Sequence, residues 1–259
     1  YNFPRLPLSA FIPGRRQVRE KEGEEFLSRP RFLAISEFGP RAIVYHEGSR
    51  YEINKVILPV GDEPVLGQMK RCVACGYLHA VPEGQAGPDV CDHCGQSLGM
   101  PRSNMFRLQN VSTRRRERIN SDEEERFRKG FDLQTAIRFE ERGGKPSPRK
   151  ADMYEGTNPL AVLHYGDAAT IWRVNLGMRR RDVAKPDGFI LDLERGLWES
   201  QERLAEAQSQ NGDVEEMSHN VARVIPYVED RRNCLLFTPF PAREPAFMAS
   251  LQAALKNAI

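Results

Sequence analysis

Apolar positions fall in short runs separated by turn signals along most of this chain, which is the pattern of strands rather than of long helices. RFLAISEFGPRAIVYHEGSRYEINKVILPV (31–60) reads as strands, with RAIVYH and RYEINKV flanking Glu47-Gly48-Ser49, a hairpin turn signal. Further strands are expected at MFRLQNV (105–111), FDLQTAIRFEER (131–142), ATIWRVNLGMRR and DGFILDLE. NVARVIPYVEDRRNCLLFTP reads as two strands around an acidic-basic turn. INSDEEERFRKG (119–130) carries a helix signature: Ser121 as cap, Glu124 three residues on, acids in the first turn, bases in the last and Gly130 as stop. A second helix begins in PAREPAFMASLQAALKNAI, and ERLAEAQSQNGDVEE is a polar segment, helical or mobile. GGKPSPRK (143–150) reads as a flexible loop, and residues 1–30, rich in proline and charge, as an extended arm or linker. The fold class expected is α+β, a strand-rich, mainly antiparallel body over 31–259 with a four-cysteine zinc ribbon inserted at about 70–98.

Composition sharpens this in two ways. Hydrophobic residues at 40% suffice for a buried core, and 29% charged residues with a mean hydropathy of −0.57 point to a soluble, cytoplasmic chain. No apolar run approaches the roughly 18 residues of a membrane span, and no secretory leader pattern opens the sequence, so no membrane partner is expected. The chain opens Tyr-Asn-Phe-Pro and closes inside an amphipathic pattern, so both ends look like cuts in something longer. Net charge is only +2, too little for a global pull onto nucleic acid. Locally, STRRRER (112–118) and MRRRDVAK (178–185) are basic, while SDEEE (121–125) and the stretch from Asp192 to Glu216 are acidic; such runs are often no more than solvated faces.

The most specific signal is RCVACGYLHAVPEGQAGPDVCDHCG (71–95), where Cys72, Cys75, Cys91 and Cys94 give C-x2-C-x15-C-x2-C. That spacing fits a four-cysteine zinc site. Two cysteines three apart in a tight turn aim both thiolates at one ion, and Gly76 and Gly95 tolerate the backbone angles such a knuckle needs. Two disulfides would require an oxidising compartment, and a redox Cys-x-x-Cys normally starts a helix. Four thiolates leave no open position on the ion, so the zinc is expected to be structural, with His79 and His93 as bystanders. The insert between the knuckles has too few apolar residues for a core of its own, so the metal supplies its folding energy. Cys234 is expected to be an inert strand cysteine.

Catalytic motifs are not found: no phosphate loop, no Walker B acidic box, no His-Glu-x-x-His and no Gly-x-Ser-x-Gly. Several phrases together, RPRFLAISEFGPRAIVYHEG, the two knuckles, NVSTRRRERINSDEEERFRKGFDLQT, GDAATIWRVNLGMRRR and VEDRRNCLLF, resemble the cysteine-containing C-terminal region of bacterial superfamily-two DEAD/DEAH helicases. The region is similar to that of the helicase-like MrfA family linked to mitomycin repair and of the B component of the DISARM anti-phage system. The resemblance implies zinc on the four cysteines, helicase motor lobes as neighbours, DNA as a partner, and ATP bound only on the upstream motor. On that reading the arginines leaving two strands, Arg114, Arg115 and Arg116, then Arg179, Arg180 and Arg181, grip phosphates, and Phe106, Phe131, Tyr165 and Trp172 are candidates for stacking on bases or for the core. The other readings are a protein-interaction scaffold, in which the arginines pair with the acidic runs, and, last, a metal-dependent nuclease using the carboxylates of EEER.

Overall fold

The computed structural model describes residues 7–13, 25–59, 66–116, 130–182, 184–202, 204–205, 220–241 and 243–258. The helix expected over 119–130 lies outside these residues except for Gly130, and so does most of the polar segment expected over 202–216.

The body is built on two sheets, antiparallel except for two parallel pairs. The smaller sheet has the order β2-β1-β8-β4-β3. Its strands are β1 (Leu8–Ile12), β2 (Glu25–Arg29), β3 (Ile43–His46), β4 (Ser49–Val56) and β8 (Val111–Arg116). Glu47 and Gly48 turn β3 into β4 with φ of 44° and 67°, both left-handed, as a two-residue hairpin requires. The edge strands β2 and β3 come within reach of each other, His46 Nε2 donating to Glu25 Oε2 at 2.8 Å. The sheet is therefore curled around its buried face.

The described part of residues 1–30, expected as an extended arm or linker, supplies two strands of this sheet. Leu8, Ala10 and Ile12 alternate into the core, and β1 pairs with β2 and, in parallel, with β8. Pro7 and Pro13 flank β1 without interrupting it, which preserves its ladder. Residues 31–37, expected as a strand, form the helix α1 (Arg31–Glu37). Pro30 stands at its N-cap with φ −52°, and its carbonyl accepts from Leu33 and Ala34. Ala34, Ile35 and Phe38 then share one buried face against the long strands of the second sheet.

That second sheet has nine strands around a spine of β13 (Asn158–Met178) and β16 (Val221–Pro239), paired from Ala161↔Pro239 to Val174↔Tyr227. β12 (Arg149–Glu155) and β9 (Phe131–Arg138) share the other edge of β13, one on each half. β16 continues past β13 to pair with β14 (Phe189–Asp192) and with β7 (Arg102–Arg107), which carries β5 (Leu66–Arg71) and β6 (Leu78–Val81) beyond it. β15 (Trp198–Glu199) closes a hairpin on β14. Glu229-Asp230-Arg231-Arg232, expected as a turn, lies in the middle of β16. The buried Asp230 accepts from Arg232 Nε at 3.0 Å, two residues on and on the same face, so the charges are paired without bending the chain. Residues 143–150, expected as a loop, turn β10 (Glu141–Arg142) back into β11 (Lys145–Pro146) through Gly143 and Gly144 at φ 63° and 76°, and then hold the start of β12. The C-terminal helix α2 (Pro245–Ala258) forms as expected and buries no residue.

The two sheets are fastened where the β14–β15 turn meets the end of β4. Val56 N donates to Gly196 O at 2.7 Å, and Lys55 bridges Leu197. Gly196 sits at φ 72°, and a Cβ there would lie 2.1 Å from the Val56 carbonyl oxygen. Gly196→Ala is expected to cost at least about 2 kcal/mol, from left-handed strain plus loss of this contact, read as a lowered midpoint in urea denaturation.

Candidate metal centre

The two cysteine pairs occupy matching turns. Cys72 N donates to Tyr77 O at 2.8 Å and Gly76 N to Cys72 O at 3.0 Å; Cys91 N donates to Gln96 O at 2.8 Å and Gly95 N to Cys91 O at 2.9 Å. Gly76 and Gly95 adopt φ of 76° and 73°, the left-handed conformation their place after each pair foretold. The first turn joins β5 to β6, and the second is closed by the Val90↔Ser97 bridge before the chain returns through β7. Lys70, nearly buried, braces the loop between the knuckles by donating to Pro88 O at 3.0 Å.

The four sulfurs converge. Cys72 Sγ lies 3.5 Å from Cys94 Sγ, and Cys75 Sγ 3.7 Å from Cys91 Sγ, with all four ligand atoms within 4.8 Å of one another. A tetrahedral ion with metal–sulfur bonds of about 2.3 Å sets sulfurs about 3.8 Å apart. The separations of 3.5 and 3.7 Å are close to that, and far beyond the ~2.05 Å of a disulfide. These residues fit a soft divalent ion such as zinc. His79 and His93 fall outside the converging group, as expected.

Acid–base chemistry within the cluster is uneven. Burial raises the Cys72 thiol, but the amides of Cys75 and Ala74 and the neighbouring thiols outweigh it and bring it to about 7. Burial dominates at Cys75 and Cys91 and pushes both thiols up. The Cys72 thiolate is therefore accessible near neutrality, and an ion binding here would have to displace protons from Cys75 and Cys91. Cys72 and Cys91 are buried, Cys75 is half-buried and Cys94 exposed, so the open side of the cluster is at Cys94.

The module does not fold around the cysteines alone. Tyr77, fully buried, follows the first knuckle and packs beside His93 at 5.3 Å and Phe139 at 6.2 Å between ring centres. Ile137 N donates to Gly76 O at 3.2 Å, linking the knuckle to β9. Leu98, Ile137, Phe139 and Ala169 complete a cluster with Cys72 and Cys91. The insert lacks a core of its own, and it borrows one from β9 and β13. Tyr77 is the residue the sequence did not single out; its only signal was an aromatic directly after Cys-Gly. Cys234 on β16 packs at the edge of the same cluster, and burial raises its thiol, consistent with an inert role.

The arginines are not brought together as two patches. Arg114, Arg115 and Arg116 lie on β8, where alternation sends Arg115 to one face, donating to Ser49 Oγ at 3.2 Å, and Arg116 to the other, paired with Glu52. Arg179 and Arg180 are exposed after β13, while Arg181 is held by Asp132 at 3.2 Å and Asp187 at 2.6 Å. Of the aromatics considered for base stacking, Phe106, Phe131 and Trp172 are buried, and Tyr165 is half-buried within β13. Their apolar strand setting places three of the four in the core. Among the described residues no helix is long and apolar enough to cross a membrane.

No protein-family model, no curated protein and no solved structure matches this chain.

Two outcomes follow from the geometry. Chelation, or Cys91→Ser, is expected to strip hydrogen-exchange protection first from the Cys72, Gly76 and Gly95 amides, then from Ile137, leaving the smaller sheet protected. The second concerns the histidines around Tyr77. Burial holds His79, His93 and His164 below the usual 6.5, with Asp92 opposing it at His79 and Asp152 at His164. A histidine kept neutral by folding contributes stability that is full above the unfolded pKa of about 6.5 and is lost as pH falls through and below it. With zinc in excess, the melting midpoint should drop between about pH 7 and pH 5.5. His164→Phe should flatten that drop, since buried His164 Nδ1 has no hydrogen-bond partner to lose.

Proposed function

We propose that this chain is a non-catalytic, zinc-stabilised accessory region of an ATP-dependent nucleic-acid helicase or translocase, supporting the motor lobes and helping guide DNA. The observation that carries the reading is the all-sulfur cluster. Four thiolates saturate a tetrahedral ion and leave no position for water or substrate, so the zinc serves shape. It ties β5, β6 and β7 to the β9–β13 wall rather than building a reaction centre. ATP belongs to the motor upstream. The resemblance to the C-terminal regions of DEAD/DEAH helicases supports this role, in DNA repair or anti-phage defence in a bacterial cytoplasm.

Arg114, Arg179 and Arg180 are exposed and have no ion pair to another described residue, which suits phosphate contact without base readout. Arg115, Arg116 and Arg181 have internal partners and are secondary.

A second reading, docking of a partner subunit, is favoured by a different observation. The far end of the β12–β13–β16 ribbon and the helix α2 expose Met153, Tyr154, Leu160, Leu235, Phe240 and Phe247. Such apolar surface suits a protein neighbour. The motor lobes themselves satisfy both readings.

Metal analysis together with titration of a fluorescent single-stranded oligonucleotide tests the proposal. One zinc per chain is expected, with sequence-tolerant binding that weakens roughly 20-fold between 50 and 200 mM salt if three arginines neutralise phosphates. Zinc without binding at low salt would leave the docking reading. Absence of zinc would remove the basis of the first reading.

A further inference from the structure

The strand β12 stands apart from the rest of the second sheet because nothing covers it. All seven of its residues, Arg149–Glu155, are exposed, on both faces of the strand. It pairs with β13 along one side, and among the described residues no strand lies along the other. Such an edge leaves a row of backbone N–H and C=O groups open to a further strand.

Edges of this kind are normally blunted by prolines, bulges or charges. In β12 the first two devices sit only at the ends. Pro148 precedes the strand and cannot donate to a ladder. At the other end the register with β13 shifts between Met153 and Tyr154, where the local twist sharpens. Between these limits the pairing is regular from Arg149↔Tyr165 to Met153↔Ala161. The centre of that stretch is Ala151.

The charges in the stretch are of both signs and are placed evenly about the centre. Lys150 and Asp152 share one face of the strand and pair with each other at 3.2 Å, with 56% and 41% of their side chains still exposed. An antiparallel second copy centred on Ala151 sets Lys150 opposite Asp152 of that copy, and Asp152 opposite its Lys150. Centring the pair on Lys150 or on Asp152 instead sets that residue against itself, like charge on like. The Ala151 register is therefore the one that joins opposite charges, and it does so on either side of a two-fold axis, as a closed contact between identical chains requires.

The opposite face of the strand agrees with the same register. Ala151 lies in an apolar row with Leu163 and Phe237 across the paired strands. Over the axis that row meets Ala151 of the second copy with no charge between them. Met153, 38% exposed, meets the aliphatic stem of the second copy's Arg149.

We infer that β12 is a self-association edge: two copies of this chain pair antiparallel through Arg149–Met153 about a two-fold axis at Ala151, and join their β12–β13–β16 ribbons into one continuous sheet. The contact is small, so the dimer is weak, with a dissociation constant of roughly 10–300 µM. It needs neither DNA nor a motor, so its failure leaves the proposed function standing.

The test is sedimentation equilibrium of the whole 259-residue chain, loaded with zinc, at low salt and from about 5 to about 500 µM. Lys150→Asp and Asp152→Lys are measured alone and then mixed in equal amounts, with unchanged melting curves as the folding control. No residue of β12 is buried, so neither substitution removes packing.

Each variant alone sets like charges face to face and is expected to weaken association roughly 10-fold or more. The mixture sets acids opposite bases at both positions and is expected to restore association to at least the parent strength. A parent chain that stays monomeric at every concentration overturns the proposal. So does a dimer that neither variant weakens, since it would belong to another surface, such as the exposed apolar side chains of α2. Weakening by each variant without recovery in the mixture overturns the register, and with it the two-fold pairing.

Discussion

The antiparallel pairing of β13 with β16 is the contact on which the other elements hang. It runs from Ala161↔Pro239 to Val174↔Tyr227, and its length comes from the absence of any break in the hydrogen-bond ladder other than the shift near Gly166. Each strand is long enough to serve two sets of neighbours: β12 and β9 along β13, β14 and β7 along the first part of β16. α1 packs on both strands through Ala34, Ile35 and Phe38. A pair this long is costly to start, because its ends are far apart in sequence, and cooperative once formed. The charges of Glu229 to Arg232 are tolerated inside it because Asp230 is neutralised along its own strand.

The cysteine module depends on that spine for everything the ion does not supply. The knuckles orient four sulfurs, yet the apolar surface that covers Cys72 and Cys91 comes from Ile137, Phe139 and Ala169 on the body. A metal on the four sulfurs and the apolar wall would act as two halves of one stabilising device. Metal binding there would rigidify a hairpin that is docked through Tyr77, and its influence would reach β9. On the smaller sheet a similar economy holds. The Gly196 contact fastens the β14–β15 turn to β4 through one backbone hydrogen bond and the close approach of two chains.

How much of this could be read beforehand depended on how local the cause was. C-x2-C-G, repeated, carries its geometry within five residues, because thiolate direction, the left-handed glycine and the two amide bonds of each knuckle are neighbours in sequence. Glu47-Gly48 set its hairpin for the same reason. The misreadings arose where local signals competed. Prolines around LSAFI suggested a linker, although they only frame a strand, and RFLAISE has apolar residues that suit either period until a buried surface selects the helical one. EDRR resembled a turn because nothing in the sequence tells that its carboxylate will find Arg232 in a ladder.

The sequence by itself therefore determined a strand-rich chain, a four-thiolate cluster suited to a structural metal, and the hairpin and two knuckle turns with left-handed glycines at Gly48, Gly76 and Gly95. Tertiary structure alone decided which groups share a site. The surface that covers Cys72 and Cys91 comes from Ile137, Phe139 and Ala169, remote in sequence, and three consecutive arginines were divided between two faces of one strand. The physical reason is that side-chain direction in a sheet follows register, and register is set by pairing with residues remote in sequence.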